Sequence, residues 1–392
     1  MSDFFLHPAT CIQFNDSRYY IKNAMIGKTV VVDDLRTIKI TDETIKYKIF
    51  CQMCDKKSTG EEMLAQLERY YYFTDVKIGY IETTSLCPYL CKMCPKSSNR
   101  IDRNCHTMAL GIYRSIIDQL PKSIEITLHL FGDPLLDNEI LEKIMYANRR
   151  DIKPSFSTNL IALPMVDFYS LPNIKVGNIT ISIDAMSAVE MSKIRGKTSE
   201  KQFENGLACL KLLDQIQGEF HFADSITLQS IDMKNERKGK KFIKELAEQF
   251  AQFSYFEKPF IVFPGMDGND LKMSKKYFDN EWLWIYDLLG EKKPYRCLKP
   301  WDKKESGLLS DGSFVPCCMC YNTTMPIGDV NNESLVDILN GERYLEFRKK
   351  VFYGEDAGAI CNRCVVNGEK KYHDRINDTK IEHLRKYCID QW

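Results

Sequence analysis

Thr83-Thr-Ser-Leu-Cys-Pro-Tyr-Leu-Cys-Lys-Met-Cys-Pro-Lys96 places three cysteines, Cys87, Cys91 and Cys94, in the spacing CxxxCxxC, directly after a short run from Lys77 to Glu82 that reads as a strand. A 4Fe-4S cubane ordinarily takes four cysteines. A tight trio with no fourth cysteine at comparable spacing leaves one iron open for a small molecule, and an open iron does chemistry. Zinc also accepts clustered cysteines, but its structural knuckles bring four ligands, usually as paired CxxC or Cys/His sets.

The rest of the composition narrows the setting. At 392 residues the chain has room for two or three domains. Lys plus Arg total 54 and Asp plus Glu total 54, so the overall balance points to neither nucleic acid nor an anionic membrane. No stretch approaches the roughly 18 apolar residues of a membrane span, and the start Met-Ser-Asp-Phe-Phe-Leu-His lacks the parts of a signal peptide, so a cytoplasmic location is expected. Fifteen cysteines in such a chain argue for metal ligation where they cluster and against a secreted disulfide framework. Isolated ones such as Cys11 and Cys209 read as small core residues.

Outward from the trio, short apolar strands alternate with helical stretches from Val76 to about Gly265, the pattern of βα units around a parallel sheet. The strands are expected at Lys77–Glu82, Ile124–Leu130, Ser155–Thr158, Ile179–Ile183, Ser225–Ile231 and Phe260–Phe263. Helices are expected at Met108–Leu120, Asn138–Arg149, Phe203–Ile216 and Arg237–Phe250. The trio then falls in the loop after the first strand, at the end of the sheet where barrel active sites are assembled.

This trio in this context resembles the radical S-adenosylmethionine (radical SAM) superfamily, which implies a partial (β/α)6 barrel at residues 76–290 and a cluster whose open iron binds S-adenosylmethionine. Four further stretches resemble the family's cofactor contacts. Met93 falls where a hydrophobic side chain packs on the adenine. Leu130-Phe131-Gly132-Asp133-Pro134-Leu135 resembles the Gly-Gly-Glu-Pro motif, which implies that Gly132 and Asp133 hold the methionine ammonium; Phe131 stands for its first glycine and Asp133 for its glutamate. The strand ends Ser155-Phe-Ser-Thr-Asn159 and Ile181-Ser-Ile-Asp-Ala185 imply contacts from Ser157, Asn159, Ser182 and Asp184 to the ribose and carboxylate. Arg195-Gly196 resembles a pair found in peptide-modifying members and implies a bidentate bond from Arg195 to the methionine carboxylate. Each stretch alone has an ordinary reading, a loop methionine, a Gly-Asp-Pro turn or a solvated arginine; their order along the chain is what joins them.

Beyond Tyr295 come Cys297-Leu-Lys-Pro-Trp301, Leu309-Ser-Asp-Gly-Ser-Phe-Val-Pro-Cys317-Cys318, Ile327-Gly-Asp-Val330 and Cys361-Asn-Arg-Cys364. Residues 291–392 resemble the SPASM/Twitch domains that follow the barrel in one branch of the superfamily. The resemblance implies a second, auxiliary 4Fe-4S cluster on Cys297, Cys317, Cys361 and Cys364, with zinc the alternative from spacing alone. Asp311-Gly312 signals a hairpin that returns a strand carrying Cys317. Full SPASM domains carry more cysteines soon after the CxxC pair, and none follows Cys364 here, so a single auxiliary cluster is expected. Cys318, Cys320 and Cys388 are left as core residues, replacement ligands or hydrogen-atom donors, burial being the simpler reading for the first two.

Residues 1–75 read as strands at Thr10–Phe14, Tyr19–Asn23 and Thr29–Val32, then helices at Asp42–Cys54 and Ser58–Tyr71. That layout resembles the winged-helix elements that bind leader peptides in ribosomal-peptide-modifying enzymes; a plain barrel cap is the alternative. The resemblances together imply an enzyme that cleaves S-adenosylmethionine and takes hydrogen from a ribosomally made precursor peptide, leading to epimerisation, crosslinking or backbone excision. A flavodoxin- or ferredoxin-type reductant is the implied partner. The other reading is an oxidoreductase or epimerase acting on a sugar, cyclitol or aminoglycoside.

Overall fold

The computed structural model describes residues 10–15, 18–23, 28–32 and 76–364, with breaks at 98–99, 172, 197, 232–236, 259–262, 265–299, 301–304, 323–326, 354–355 and 363. The chain falls into two compact units, one within Met1–Thr74 and the other within Asp75–Gly368.

In the first unit, β1 (Thr10–Asn15), β2 (Arg18–Asn23) and β3 (Lys28–Val32) form an antiparallel meander in the order β1-β2-β3. Asn15 pairs with Arg18 across the first connection and Asn23 with Lys28 across the second. The helices expected at Asp42–Cys54 and Ser58–Tyr71 lie outside the described residues.

The second unit is built on parallel pairing. β4 (Tyr80–Ile81), a bridge at Thr127, β5 (Phe156–Thr158), β6 (Val176–Ser182), β7 (Ala223–Ile231) and β8 (Phe253–Lys258) follow one another across the sheet. Between them run α1 (Leu110–Asp118), α2 (Ile140–Asn148), α3 (Ala188–Arg195), α4 (Glu200–Phe220) and α5 (Arg237–Glu248). This is the partial βα barrel anticipated from the sequence. Two of its strands differ from expectation. The run Ile124–Leu130 contributes only the bridges of Thr127 to Tyr80 and Ser155. β8 follows β7 in the sheet and is not among the expected strands; of the expected Phe260–Phe263, Phe263 lies outside any strand and 260–262 lie outside the described residues. Phe253-Ser-Tyr-Phe-Glu-Lys258 is amphipathic because only one side of it is covered, and a search for apolar runs passes over it.

The register sorts the sheet into two faces. Ile179, Ile181, Ile226 and Leu228 are buried among the core residues. Ser157, Thr180, Thr227 and Ser254 form a row on the opposite face, as do Ser182 and Gln229. That face is bonded side chain to side chain: Thr227 and Ser254 hydroxyls are 3.0 Å apart, and the Asn178 amide oxygen accepts from Ser225 at 2.8 Å and Thr227 at 3.1 Å. With helices covering the apolar side, the polar side is the inner face of the curved sheet. α4 starts at a capping box between Ser199 and Gln202 and ends at His221 in left-handed geometry, which fixes its length against the sheet.

β9 (Gly307–Leu308) and β10 (Phe314–Val315) form the hairpin expected at Asp311-Gly312, with Gly312 at φ +95. β9 also pairs in parallel with β4, so the hairpin extends the barrel sheet at its first strand. β10 ends at Val315, and Cys317 lies beyond it in a turn, not on the returning strand. α6 (Leu335–Asn340), α7 (Glu342–Tyr353) and α8 (Ala359–Asn362) follow. Among the described residues no helix is long and apolar enough to cross a membrane.

Candidate functional site

The cysteine loop leaves the C-terminal end of β4 and is clamped by backbone bonds on two sides. Asp133 N donates to Leu86 O at 2.7 Å, and Lys92 N donates to Ile194 O at 2.8 Å. Both clamps need glycine. A Cβ on Gly132 would stand 1.9 Å from Thr84 O, and one on Gly196, at φ +78, would stand 2.7 Å from Leu90 O. The Gly-Asp-Pro and Arg-Gly stretches therefore grip the cluster loop before any cofactor contact is considered. Lys96 adds an ammonium bond to Ser85 O at 2.9 Å.

Within the loop Cys94 N donates to Cys91 O at 2.8 Å, which turns the chain so that the last two cysteines share one side. Tyr89, Cys91, Ala185, Ala188, Met191 and Phe203 form an apolar cluster against which Cys87 and Cys94 pack. Burial pushes the Cys87 thiol up to about 12 and the Cys94 thiol up to about 11. A metal cluster held by these thiols would displace their protons. Met93 is buried beside them.

The cofactor contacts implied by resemblance gather at successive strand ends. Asn159 Nδ2 donates to Cys87 Sγ at 3.9 Å. Arg195 Nε bonds the Asp184 carboxylate, and its Nη1 donates to Cys91 Sγ at 3.4 Å. Burial opposes the charge on Arg195, but Asp184 and Cys91 more than restore it. Two atoms of this group, Asp184 Oδ1 and Arg195 Nη2, are buried without a partner. An orphaned acceptor and an orphaned donor side by side fit a zwitterionic ligand that brings both an ammonium or hydroxyl and a carboxylate. Ser182 Oγ accepts from Gln229 Nε2 at 3.5 Å, and Ser157 N donates to His129 Nδ1 at 2.9 Å.

The Asp133 side chain is bonded within the protein. Its carboxylate accepts from Leu135 N at 3.1 Å, from Thr158 Oγ1 at 2.9 and 3.1 Å, and from Asn159 N at 2.8 Å. These bonds hold the end of β5 and so aim Asn159 at Cys87.

Cys317 and Cys320 thiols stand 3.9 Å apart. They pack with Leu309, Val315, Met319, Tyr321, Ile360 and Phe131, with Cys318 and Cys361 at the edge. Cys364 N donates to Cys361 O at 3.2 Å, closing the CxxC turn. Cys297 and Cys388 lie outside the described residues. Among the described residues no three Cys, His, Asp or Glu side chains converge tightly enough to grip a single ion; the ligands of a cubane stand around a larger body.

A comparison with curated protein sequences finds no match. Among solved structures, Streptococcus suis SuiB bound to precursor peptide SuiA is similar with a TM-score of 0.50 at 11% identity, over 96% of this chain and 97% of that one. anSMEcpe with bound AdoMet gives 0.47 at 15% identity, over 70% and 83%. BtrN in complex with AdoMet and 2-DOIA gives 0.41 at 16% identity, over 74% and 93%. Identities this low speak to fold alone. Residues 297–365 match the SPASM family, an iron-sulfur cluster-binding domain. The chain therefore carries a SPASM domain at residues 297–365.

The SPASM domain meets the barrel at a residue that sequence reasoning passed over. Glu82, fully buried at the end of the first strand, accepts from Arg103 Nη2 at 2.7 Å, Phe131 N at 3.1 Å and Ser310 N at 3.0 Å. Arg103 goes on to Tyr321 O and Ser310 Oγ, both at 3.2 Å. One acid thus joins the cluster loop, the Gly-Asp-Pro loop and the SPASM hairpin. Phe131, where the motif has glycine, fills the space between that loop and the SPASM thiols, edge-on to Phe263 and Tyr321. The one signal available was an acidic residue ending an apolar strand.

Proposed function

We propose that this protein is a radical SAM enzyme that modifies a ribosomally made precursor peptide. Cys87, Cys91 and Cys94 would hold a 4Fe-4S cluster, and Cys317, Cys361 and Cys364, with Cys297 implied by resemblance, an auxiliary one. Such a cluster on Cys87, Cys91 and Cys94, when bound and reduced, would supply the electron for cleavage of S-adenosylmethionine, and the radical so formed would take hydrogen from the substrate. The observation that carries the cofactor reading is the orphaned pair Asp184 Oδ1 and Arg195 Nη2, buried beside Cys91. Arg195 would take the methionine carboxylate through its free nitrogen, Asp184 the opposite charge or a ribose hydroxyl, and Met93 the adenine. Gly132 and Asp133 hold the loop and strand end that frame the ligand, and Asn159, Ser157 and Ser182 supply uncharged polar atoms around it. The apolar wall of Tyr89, Ala185, Ala188, Met191 and Phe203 keeps bulk water from the cluster loop.

The peptide reading is supported by the match in fold to SuiB over 96% of this chain, a protein whose structure holds a precursor peptide, and by the three-stranded meander of the N-terminal unit. An exposed strand beside a helix receives an extended peptide through backbone bonds. Anaerobically reconstituted protein should carry about eight irons, two cubanes, and under dithionite it should form 5′-deoxyadenosine; Cys91→Ala should not. Removing residues 1–74 should leave that cleavage intact and sharply lower conversion of a leader-bearing precursor peptide. Full conversion of a sugar, cyclitol or aminoglycoside, with no precursor processed, would replace the peptide reading.

A further inference from the structure

We propose that Lys258 and Phe256 bind the substrate on the inner face of the barrel, Lys258 taking a carboxylate of the substrate and Phe256 packing on the apolar stretch that carries it. The inference deepens the function proposed above and rests on a substrate reacting within that barrel. Register places both residues. The Ser254 hydroxyl is bonded to that of Thr227 on the polar face of the sheet, and side chains alternate along a strand, so Phe256 and Lys258 follow on that same face. Phe256 stands in a row with Gln229 and Ser182. The next row, nearer the C-terminal strand ends, is Asp184, Ile231 and Lys258. Ile231 pairs with Lys258, and Ile183 N donates to Gln229 O at 3.2 Å, which carries the pairing of β6 and β7 past Ser182.

Neither side chain has the partners of a purely structural residue. Phe256 is 50% exposed on a face lined by hydroxyls and amides. Lys258 is partly buried, yet among the described residues its ammonium makes no hydrogen bond or ion pair. Asp184 stands two strand spacings away, roughly 10 Å, and gives Oδ2 to Arg195. Arg195 in turn faces Asp184 and Cys91. An amine with three donors and no acceptor in a half-dry site calls for an acceptor from outside the protein. One cation beside one phenyl ring suits a singly charged carboxylate on an apolar stem, whereas a phosphate calls for several donors. An acidic side chain in a peptide and a free small acid both present that group.

The test uses the full-length holoenzyme with and without S-adenosylmethionine. It is pulsed with acetic anhydride at pH 8, where burial and Arg195 leave Lys258, with a pKa of about 8, partly neutral and reactive. Acetylation of Lys258 is read by mass spectrometry against the exposed Lys241. The probes are acetyl-Ala-Glu-Ala-amide for a peptide side chain and 3-phenylpropionate for a small acid, each beside its neutral amide counterpart. At least one acid should slow labelling of Lys258 by at least about threefold, because a carboxylate holds the amine protonated; the neutral counterparts should change nothing, and Lys241 should be unaffected. Protection by the first acid alone assigns a peptide side chain, and by the second alone a small acid. In Phe256→Ala the same protection should need at least about threefold more probe; unchanged protection overturns the role given to Phe256. Labelling that neither acid alters, or that the neutral amides slow equally, would overturn the proposal. So would full protection by S-adenosylmethionine before any probe is added, which gives the lysine to the cofactor. 5′-Deoxyadenosine formation under dithionite is followed on the same preparation. Where it proceeds and no acid protects Lys258, this inference fails and the radical SAM reading stands; where none forms, that reading fails and the substrate with it.

Discussion

At the scale of single residues, the inner face of the barrel holds a titrating group that its environment keeps neutral. His129 accepts Ser157 N through Nδ1, and burial, with Lys258 nearby, lowers its pKa from 6.5 to about 4. Lys258, at the end of β8, is itself lowered to about 8 by burial and by Arg195. Because the folded His129 binds its proton less readily than the unfolded one, its stabilising contribution is complete above pH 6.5 and is lost as pH falls toward 4. The ring keeps some contact with solvent, so ~2 kcal/mol is a fair scale for the loss. His129→Gln keeps an acceptor for Ser157 N and removes the titration. Urea unfolding of the two proteins should therefore show the wild type losing more stability than the variant between pH 7 and 4.5; parallel losses would remove His129 from the acid response.

At the scale of elements, the cluster loop is shaped by what touches it. Its two clamps come from the loop after Thr127 and from the end of α3, and each relies on a glycine with no room for a side chain. Gly132→Ala would drive a methyl into Thr84 O, which is backbone and cannot swing away. The cost should be at least ~2 kcal/mol, in the range of overpacking, and the displacement should fall on the cysteine loop. Reconstituted Gly132→Ala is expected to lose iron from the first cluster while keeping the auxiliary one. Equal iron in variant and wild type would mean that the loop relaxes around the methyl. The sequence showed this glycine as part of a turn. Its closeness to Thr84 was beyond reach, because the two residues belong to different βα units.

Across the second unit, barrel and SPASM domain share one sheet and one buried acid. β9 pairs with β4, and Glu82 bonds residues from three segments, with Arg103 only 7% exposed beside it. Glu82→Gln keeps the shape but leaves the guanidinium of Arg103 buried without its counter-charge, a loss of roughly 3–5 kcal/mol. Thermal unfolding followed by circular dichroism should show a lower midpoint for both parts together, since the acid serves both. A midpoint within a degree or two of wild type would show that water or another acid takes over.

Read from its residues alone, the chain gave the order of its parts: the CxxxCxxC trio after the first strand, the Gly-Asp-Pro and Ser-Thr-Asn stretches at later strand ends, the Arg-Gly pair, the hairpin at Asp311-Gly312 and the cysteines beyond. These signals are local, set by turn geometry, strand periodicity and ligand spacing within a few residues. What only the tertiary structure decided are pairings between distant segments. Glu82 meets Ser310, Asp133 spends its carboxylate on the end of β5, and Arg195 bridges Asp184 to Cys91. The direction of a side chain at such places follows from which backbone passes nearby and which polar atom would otherwise stay buried and unpaired, and neither is written in the spacing of residues along the chain.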